Sequence, residues 1–210
     1  MHPFFEHHQD LLRRVRGVIQ AGADCGQEIP LWEATGIEHQ LYFEPVPARF
    51  AGLQMRPGAT KWNLALADYC GRAPFHVTND LSSSSLSPLF EGRIPPLRGV
   101  SPGEIIQVNV VTLDAFFDRH PELRSADFNL LFLDTQGSED LVIKGATRTL
   151  AHIDLIVTEV GYQRMYERCV LFPELDALIR ARGFELVAQY PLDGFGGHGD
   201  AIYQKCERAG

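Results

Sequence analysis

Apolar and polar positions along the chain follow two rhythms. Short runs of mostly apolar residues recur, and between them apolar residues return at every third or fourth position. The runs read as strands covered on both faces, and the spaced stretches read as amphipathic helices. In the first part, Phe4 to Arg14 reads as a helix and Val15 to Gly22 as a strand ending in glycine. Cys25 to Thr35 has helical character, with Pro30 weakening its middle. Gln40 to Glu44 is a second strand, Pro47 to Met55 a helix, and Lys61 to Ala67 a third strand. In the later part, Ile105 to Thr112 alternates and is β-branched, as a strand should be. Leu113 to His120 is a short helix stopped by Pro121. Asn129 to Leu133 and Asp154 to Val160 are buried strands. Ser138 to Leu150 is a helix, with Ser138 placed to cap it. Phe172 to Arg182 is a helix closed by Gly183. Phe184 to Tyr190 and Ala201 to Lys205 are last strands joined by a short Gly-rich loop, which suits an antiparallel pair.

Alternation of strand and helix implies an α/β fold: a mostly parallel sheet with helices on both faces. The rhythm fails between Thr78 and Glu104, a stretch with four consecutive serines, Ser82 to Ser85. A loop this long inside a domain is expected to be functional or mobile, here part of an acceptor site or a lid. At 210 residues the chain is expected to be one domain, spanning 1–210, with 78–104 as an insertion.

Composition narrows the partners. Hydrophobic residues make up 45% and charged residues 22%, ordinary for a globular protein. The net charge of −8 argues against binding nucleic-acid phosphates or an anionic membrane surface. No apolar run approaches the ~18 residues of a membrane span. Cys25, Cys70, Cys169 and Cys206 form no C-x-x-C pair, which suits free thiols in a reducing compartment. The polar, His-rich start does not read as a signal peptide, so the expected location is cytoplasmic.

Ligands of such sheets sit at the carboxyl ends of the strands, so those residues carry the candidate chemistry. After the first strand comes Ala21-Gly22-Ala23-Asp24-Cys25-Gly26-Gln27, a turn whose glycines allow close backbone approach. Such a turn also ends strands for purely steric reasons. Glu44 closes the second strand, about 20 residues past the glycines, where an acid can accept hydrogen bonds from both ribose hydroxyls of a nucleoside. The turn is not G-x-G-x-x-G, because Asp24 stands where a middle glycine would admit a pyrophosphate. A ligand with an α-amino group would gain from that carboxylate, which tilts the reading from NAD toward S-adenosylmethionine. The fourth strand ends in Asp134-Thr135-Gln136-Gly137-Ser138-Glu139. Asp134 would project into the crevice, and Glu139 would lie in the first helical turn as a dipole and capping residue. Glu159 ends the next strand beside Asp134. Paired acids there can act as a base, as metal ligands or as an ammonium trap.

The stretch Phe132-Leu133-Asp134-Thr135-Gln136-Gly137-Ser138-Glu139, with Leu141, Lys144-Gly145-Ala146 and Thr158-Glu159-Val160, resembles the most distinctive segment of the FkbM family of S-adenosylmethionine-dependent methyltransferases. The likeness also takes in the Ala21 to Gln27 turn, Phe43-Glu44-Pro45, Asn63 to Leu66, Phe172 to Leu175, Gly183-Phe184 and Asp200-Ala201, covering roughly 15–205. The D-x-Q-G-x-E segment is fairly specific; the glycine turn alone is not. The resemblance implies a Rossmann-like class I methyltransferase, a three-layer sandwich whose seven-stranded, mostly parallel sheet has an antiparallel last strand. It implies S-adenosylmethionine as cofactor, with Gly22, Ala23, Asp24 and Gly26 at its methionine end, Glu44 and Pro45 at the ribose, Ala65 near the adenine and Asp134 at the centre. The turn departs from the family pattern at Gln20, where Asp is common, and at Asp24, where Asn is common.

A hydroxyl acceptor must lose its proton as it attacks a methyl group. Asp134 and Glu159 are candidate bases. His198, in the loop between the last two strands, is a third, unless it is only a solvent-exposed histidine. No His or Cys cluster suggests a transition metal, and no metal is expected. The leading reading is O-methylation of a small molecule such as a sugar or natural product, by a monomer or homodimer. The alternatives are an NAD-dependent oxidoreductase and a non-catalytic nucleotide-binding module.

Overall fold

The computed structural model describes residues 2–91, 99–191 and 197–206. Two short helices open the chain, α1 (Pro3–His7) and α2 (Gln9–Leu12), where one helix was expected. The break is at His8, whose ring nitrogen is held 2.8 Å from the Tyr190 hydroxyl. There follow β1 (Gly17–Ala21), α3 (Ile29–Thr35), β2 (His39–Phe43), α4 (Pro47–Gly52) and β3 (Ala59–Trp62). After a second set of strands come α5 (Leu113–Arg119), β7 (Leu130–Leu133), α6 (Glu139–Lys144), β8 (Leu155–Gly161), α7 (Phe172–Ala181), β9 (Phe184–Pro191) and β10 (His198–Lys205).

Seven strands form one sheet in the order β3-β2-β1-β7-β8-β10-β9. The pairs from β3 through β8 are parallel, while β10 runs antiparallel to both β8 and β9. Strand alternation sorts the core. Leu130 and Phe132 of β7 face the α1–α3 side with Phe4 and Trp32. Leu131 and Leu133 face the α5–α7 side with Phe116, Ile143 and Ile179. The sheet is thus covered by helices on both faces. Strand order reverses between β1 and β7, which opens a crevice at their carboxyl ends.

Several boundaries differ from expectation, each for a tertiary reason. The expected strand Lys61 to Ala67 is divided. Its first half is β3; its second half is β4 (Ala65–Leu66) in a separate three-stranded sheet with β5 (Gly71–Thr78) and β6 (Pro102–Val111), ordered β4-β6-β5. Asn63 makes the exit, its side-chain amide donating to the carbonyls of Glu44 and Pro45 at 2.8 and 3.0 Å. The stretch from Thr78 to Glu104 is therefore not loop throughout, because β5 and β6 occupy its two ends. Its middle makes a 3-10 turn at Leu81–Ser83 and bridges Ser85 to His76 and Leu89 to Tyr166. Helix α3 starts four residues later than the expected Cys25, and Pro30 lies in its first turn rather than its middle. Helix α6 stops at Lys144, short of the expected Leu150. The Asp114 carboxylate captures the N–H groups of Arg148 and Thr149 at 2.9 and 2.8 Å.

Candidate active site

Two turns build the crevice. At the end of β1 the chain takes left-handed backbone at Gly22 (φ +79°) and again at Asp24 (φ +42°), a conformation Asp tolerates better than most residues. Gly22 is forced. A Cβ there would stand 1.8 Å from the carbonyl oxygen of Asp134, so the two turns touch through backbone. The N–H groups of Gly22 and Ala23 donate to the carbonyl of Phe43. The Glu44 carboxylate then locks the turn to the tip of β2: it accepts from the N–H of Asp24 at 2.8 Å and from the N–H of Val46 at 2.7 Å. Glu44 is 4% exposed. Burial pushes its carboxyl up to about 7, against the pull of those two N–H groups.

The turn after β7 repeats the device. Gln136 (φ +57°) and Gly137 (φ +87°) are left-handed. Buried Glu139 accepts from the N–H of Thr135 at 2.9 Å, its hydroxyl at 3.0 Å and the N–H of Gly137 at 3.2 Å. Glu139 thus caps and holds its own turn. Ser138 occupies the capping position without a side-chain hydrogen bond. Gln136 donates from Nε2 to Asp134 Oδ1 at 2.5 Å and to Glu159 Oε2 at 2.9 Å. Desolvation and mutual repulsion with neighbouring acids raise both of those carboxyls above the ordinary range. Asp134 is set deep between the two turns and keeps one side open to the crevice. Glu159 is more enclosed, with a 17% exposed side chain.

Between the two turns lies a cleft that opens to solvent and encloses about 720 Å³ when the open space at its mouth is included. Gly22, Asp24, Glu44, Pro45, Ala65 and Asp134 line it. Ala23 and Gly26 do not: Ala23 is buried in the α1–α3 core, and Gly26 faces Ile29 and Leu53. Asp24 is not free for a ligand's amino group as expected, because Arg49 of α4 stands 2.7 Å from its Oδ1 as an ion pair lacking hydrogen-bond geometry. Gln20 is likewise engaged inside the protein, accepting from Trp32 and donating to Glu28. His198 is the first residue of β10 rather than a loop residue. Its Nε2 is 3.9 Å from Glu159, its side chain is 20% exposed, and burial lowers its pKa.

Several lining residues carry no clear signal in the sequence. Glu28 faces the cleft after the first turn, oriented by Gln20. Phe75, Leu81 and Leu86 bring the small sheet and the segment after it onto the cleft, forming an apolar wall with Leu64, Ala65 and Leu66. Only the Ser-rich composition hinted at that wall. A nucleoside fits this division: an apolar wall for a base, a buried carboxylate at the tip of β2 for sugar hydroxyls, and an acidic end for a cation. Among the described residues, no group of three or more His, Cys, Asp or Glu is arranged to hold a metal ion. Also among them, no helix is long and apolar enough to cross a membrane.

Comparison with known proteins agrees with this geometry. The methyltransferase FkbM domain model matches residues 24–186. The chain is 30% identical over 204 residues to the 2-O-methyltransferase NoeI of Sinorhizobium fredii, covering 90% of this chain and 79% of that relative. Two solved structures share the fold. The Burkholderia thailandensis 1,6-didemethyltoxoflavin-N1-methyltransferase, bound to its substrate and S-adenosylhomocysteine, matches with a TM-score of 0.50 at 17% identity, over 95% of this chain and 75% of that one. The Synechocystis magnesium protoporphyrin IX methyltransferase with bound S-adenosylmethionine matches with a TM-score of 0.51 at 8% identity, over 96% and 77%. An oxidoreductase or a non-catalytic module is not favoured by these likenesses. The reversed strand order, the two turns bound by buried glutamates and the family match converge, and the chain belongs to the FkbM family of S-adenosylmethionine-dependent methyltransferases.

Proposed function

We propose that the chain methylates a hydroxyl oxygen of a small molecule, such as a saccharide or another natural product. The observation that carries the reading is the pair Asp134 and Glu159, bridged by one amide at the strand tips beside the cleft. When bound, S-adenosylmethionine supplies an electrophilic methyl group on a positively charged sulfur. Glu44 and Pro45 hold the ribose end, and Ala65, Leu64 and Phe75 enclose the base. Gly22 and Asp24 border the amino-acid end, and Ala23 and Gly26 keep the shape of their turn. Asp134 and Glu159 take the proton that a hydroxyl gives up as it attacks. Carboxyls raised by burial and by neighbouring acids suit that work, since a base is most effective when its pKa lies near the working pH. His198, behind Glu159, is the third group able to accept it. The name of the Sinorhizobium fredii relative, a 2-O-methyltransferase, supports oxygen as the accepting atom.

The test is incubation with methyl-labelled S-adenosylmethionine and a panel of saccharides and hydroxylated, amino and carbon acceptors, following S-adenosylhomocysteine and the labelled product. Transfer to a hydroxyl is expected. Transfer only to nitrogen or carbon, or tight cofactor binding with no transfer to any acceptor, would remove the reading.

A further inference from the structure

We infer that Gln136 is a positioning residue of this site: its amide holds the Asp134 and Glu159 carboxyls side by side and hangs both on the Tyr166 hydroxyl. The inference rests on the reading above only for the purpose of the acid pair, not for its geometry. Gln136 is held by its backbone as well as its side chain. Its φ of +57° is uncommon for a non-glycine residue, and such strain persists where surroundings impose it. Ser85, from the segment that covers the cleft, donates its hydroxyl to the Gln136 carbonyl at 2.7 Å.

The amide has no spare polar atom. The two hydrogens on Nε2 go to Asp134 and Glu159, and Oε1 accepts from the Tyr166 hydroxyl at 2.7 Å. The two carboxyl acceptors on one side orient the amide nitrogen toward the acids and its oxygen toward Tyr166. Tyr166 is itself enclosed. It is buried, packs against Gly137, and its hydroxyl also lies 3.0 Å from the carbonyl of Ser83. The surroundings of the pair are otherwise acidic: Glu28 ahead of α3, Glu139 in α6 and Asp200 on β10. Asp200 is 3.4 Å from His2, and His198 of β10 is 3.9 Å from Glu159. Against that repulsion the amide supplies two donors to the ionised pair. Without them the pair should hold its proton to higher pH.

The experiment needs no acceptor. Protein carrying carbonyl-labelled ¹³C in its Asp and Glu side chains is titrated by NMR from pH 4 to 9, with Asp134→Asn and Glu159→Gln identifying the two resonances. Gln136→Asn keeps a residue that tolerates left-handed backbone but is one methylene too short to reach both acids. It should move the titration of the pair up by about one pH unit. Tyr166→Phe, which leaves Gln136 itself in place, should move it in the same direction by less. Midpoints that stay put or fall in both variants would overturn the inference, and so would a lowered thermal midpoint with an unmoved titration. If no hydroxyl acceptor is methylated while the midpoints move as stated, the O-methylation reading fails and the positioning role stands.

Discussion

The turns after β1 and β7 have the same construction and opposite consequences. The first carries three left-handed residues before its helix and the second two, and each is held by a buried glutamate accepting backbone N–H groups. In the first turn the holding acid, Glu44, also forms part of the cleft wall. A ligand hydroxyl can meet a carboxylate whose position is already fixed, which limits the ordering needed on binding. In the second turn the holding acid, Glu139, is turned to its own backbone. The cleft-facing acid, Asp134, is left to share Gln136 with Glu159. Under the proposed function, the cleft-facing acid fixed by two backbone donors is the binding group, and the two acids sharing one amide are the proton-exchanging pair.

The sharpest way to break this distinction is Asp134→Asn. It should lower turnover on any accepted hydroxyl by roughly 10²–10⁴-fold, the usual contribution of a general base. It should weaken S-adenosylhomocysteine binding, read by calorimetry, less than a Glu44 variant does; equal losses of binding would erase the division of labour. Next in size are the glycines. Gly22→Ala meets the Asp134 backbone and should cost roughly 3 kcal/mol in chemical denaturation. Gly137→Ala meets the buried Tyr166 ring at 2.9 Å and Cys169 Cβ at 3.0 Å, a milder clash than that of Gly22 with backbone, and should cost about 1–2 kcal/mol. The reverse order would mean that the turns do not meet through backbone. Glu44→Ala should weaken S-adenosylhomocysteine by roughly 10- to 100-fold, the value of charge-assisted hydrogen bonds, with little change in turnover at saturating cofactor. The smallest effect is on stability against pH. Glu44 keeps its proton to about 7 in the folded chain but not in the unfolded one. Its contribution is therefore complete below the ordinary glutamate range and is lost as pH rises to about 7. Asp134, Glu139 and Glu159, also raised, act in the same direction. The thermal midpoint should fall by a few degrees, roughly, between pH 5 and pH 8, and Glu44→Gln should flatten that slope; a rise over this interval would show that burial does not govern these acids.

Strands β1, β2, β7 and β8 were legible because each is an apolar run covered on both faces, and the last hairpin because its loop is too short for a crossover. With those strands came their tips, and so Gly22, Glu44, Asp134 and Glu159 were legible too. The small sheet was legible only in part: β6 was, as the alternating run Ile105 to Thr112, but β5 and the pairing were not. Strand β5 has polar residues on its open side and Pro74 within it, which a strand admits at a sheet edge, and β5 is an edge. Nor does any local pattern say that Asn63 would bond to the end of β2 and lead the chain out of the main sheet.

The chain's own order of residues determined the layered α/β architecture and which acids stand at strand ends, since periodic burial and tight turns are properties of neighbours in sequence. Tertiary structure alone decided which partners each of those acids meets. Asp24 was claimed by Arg49 from 25 residues away, Glu44 by the N–H of Asp24, and Glu159 by an amide 23 positions earlier. The charge and reach of a buried carboxyl depend on the partners that distant segments bring to it, and in this protein those partners come from the turns after β1 and β7 and from helix α4.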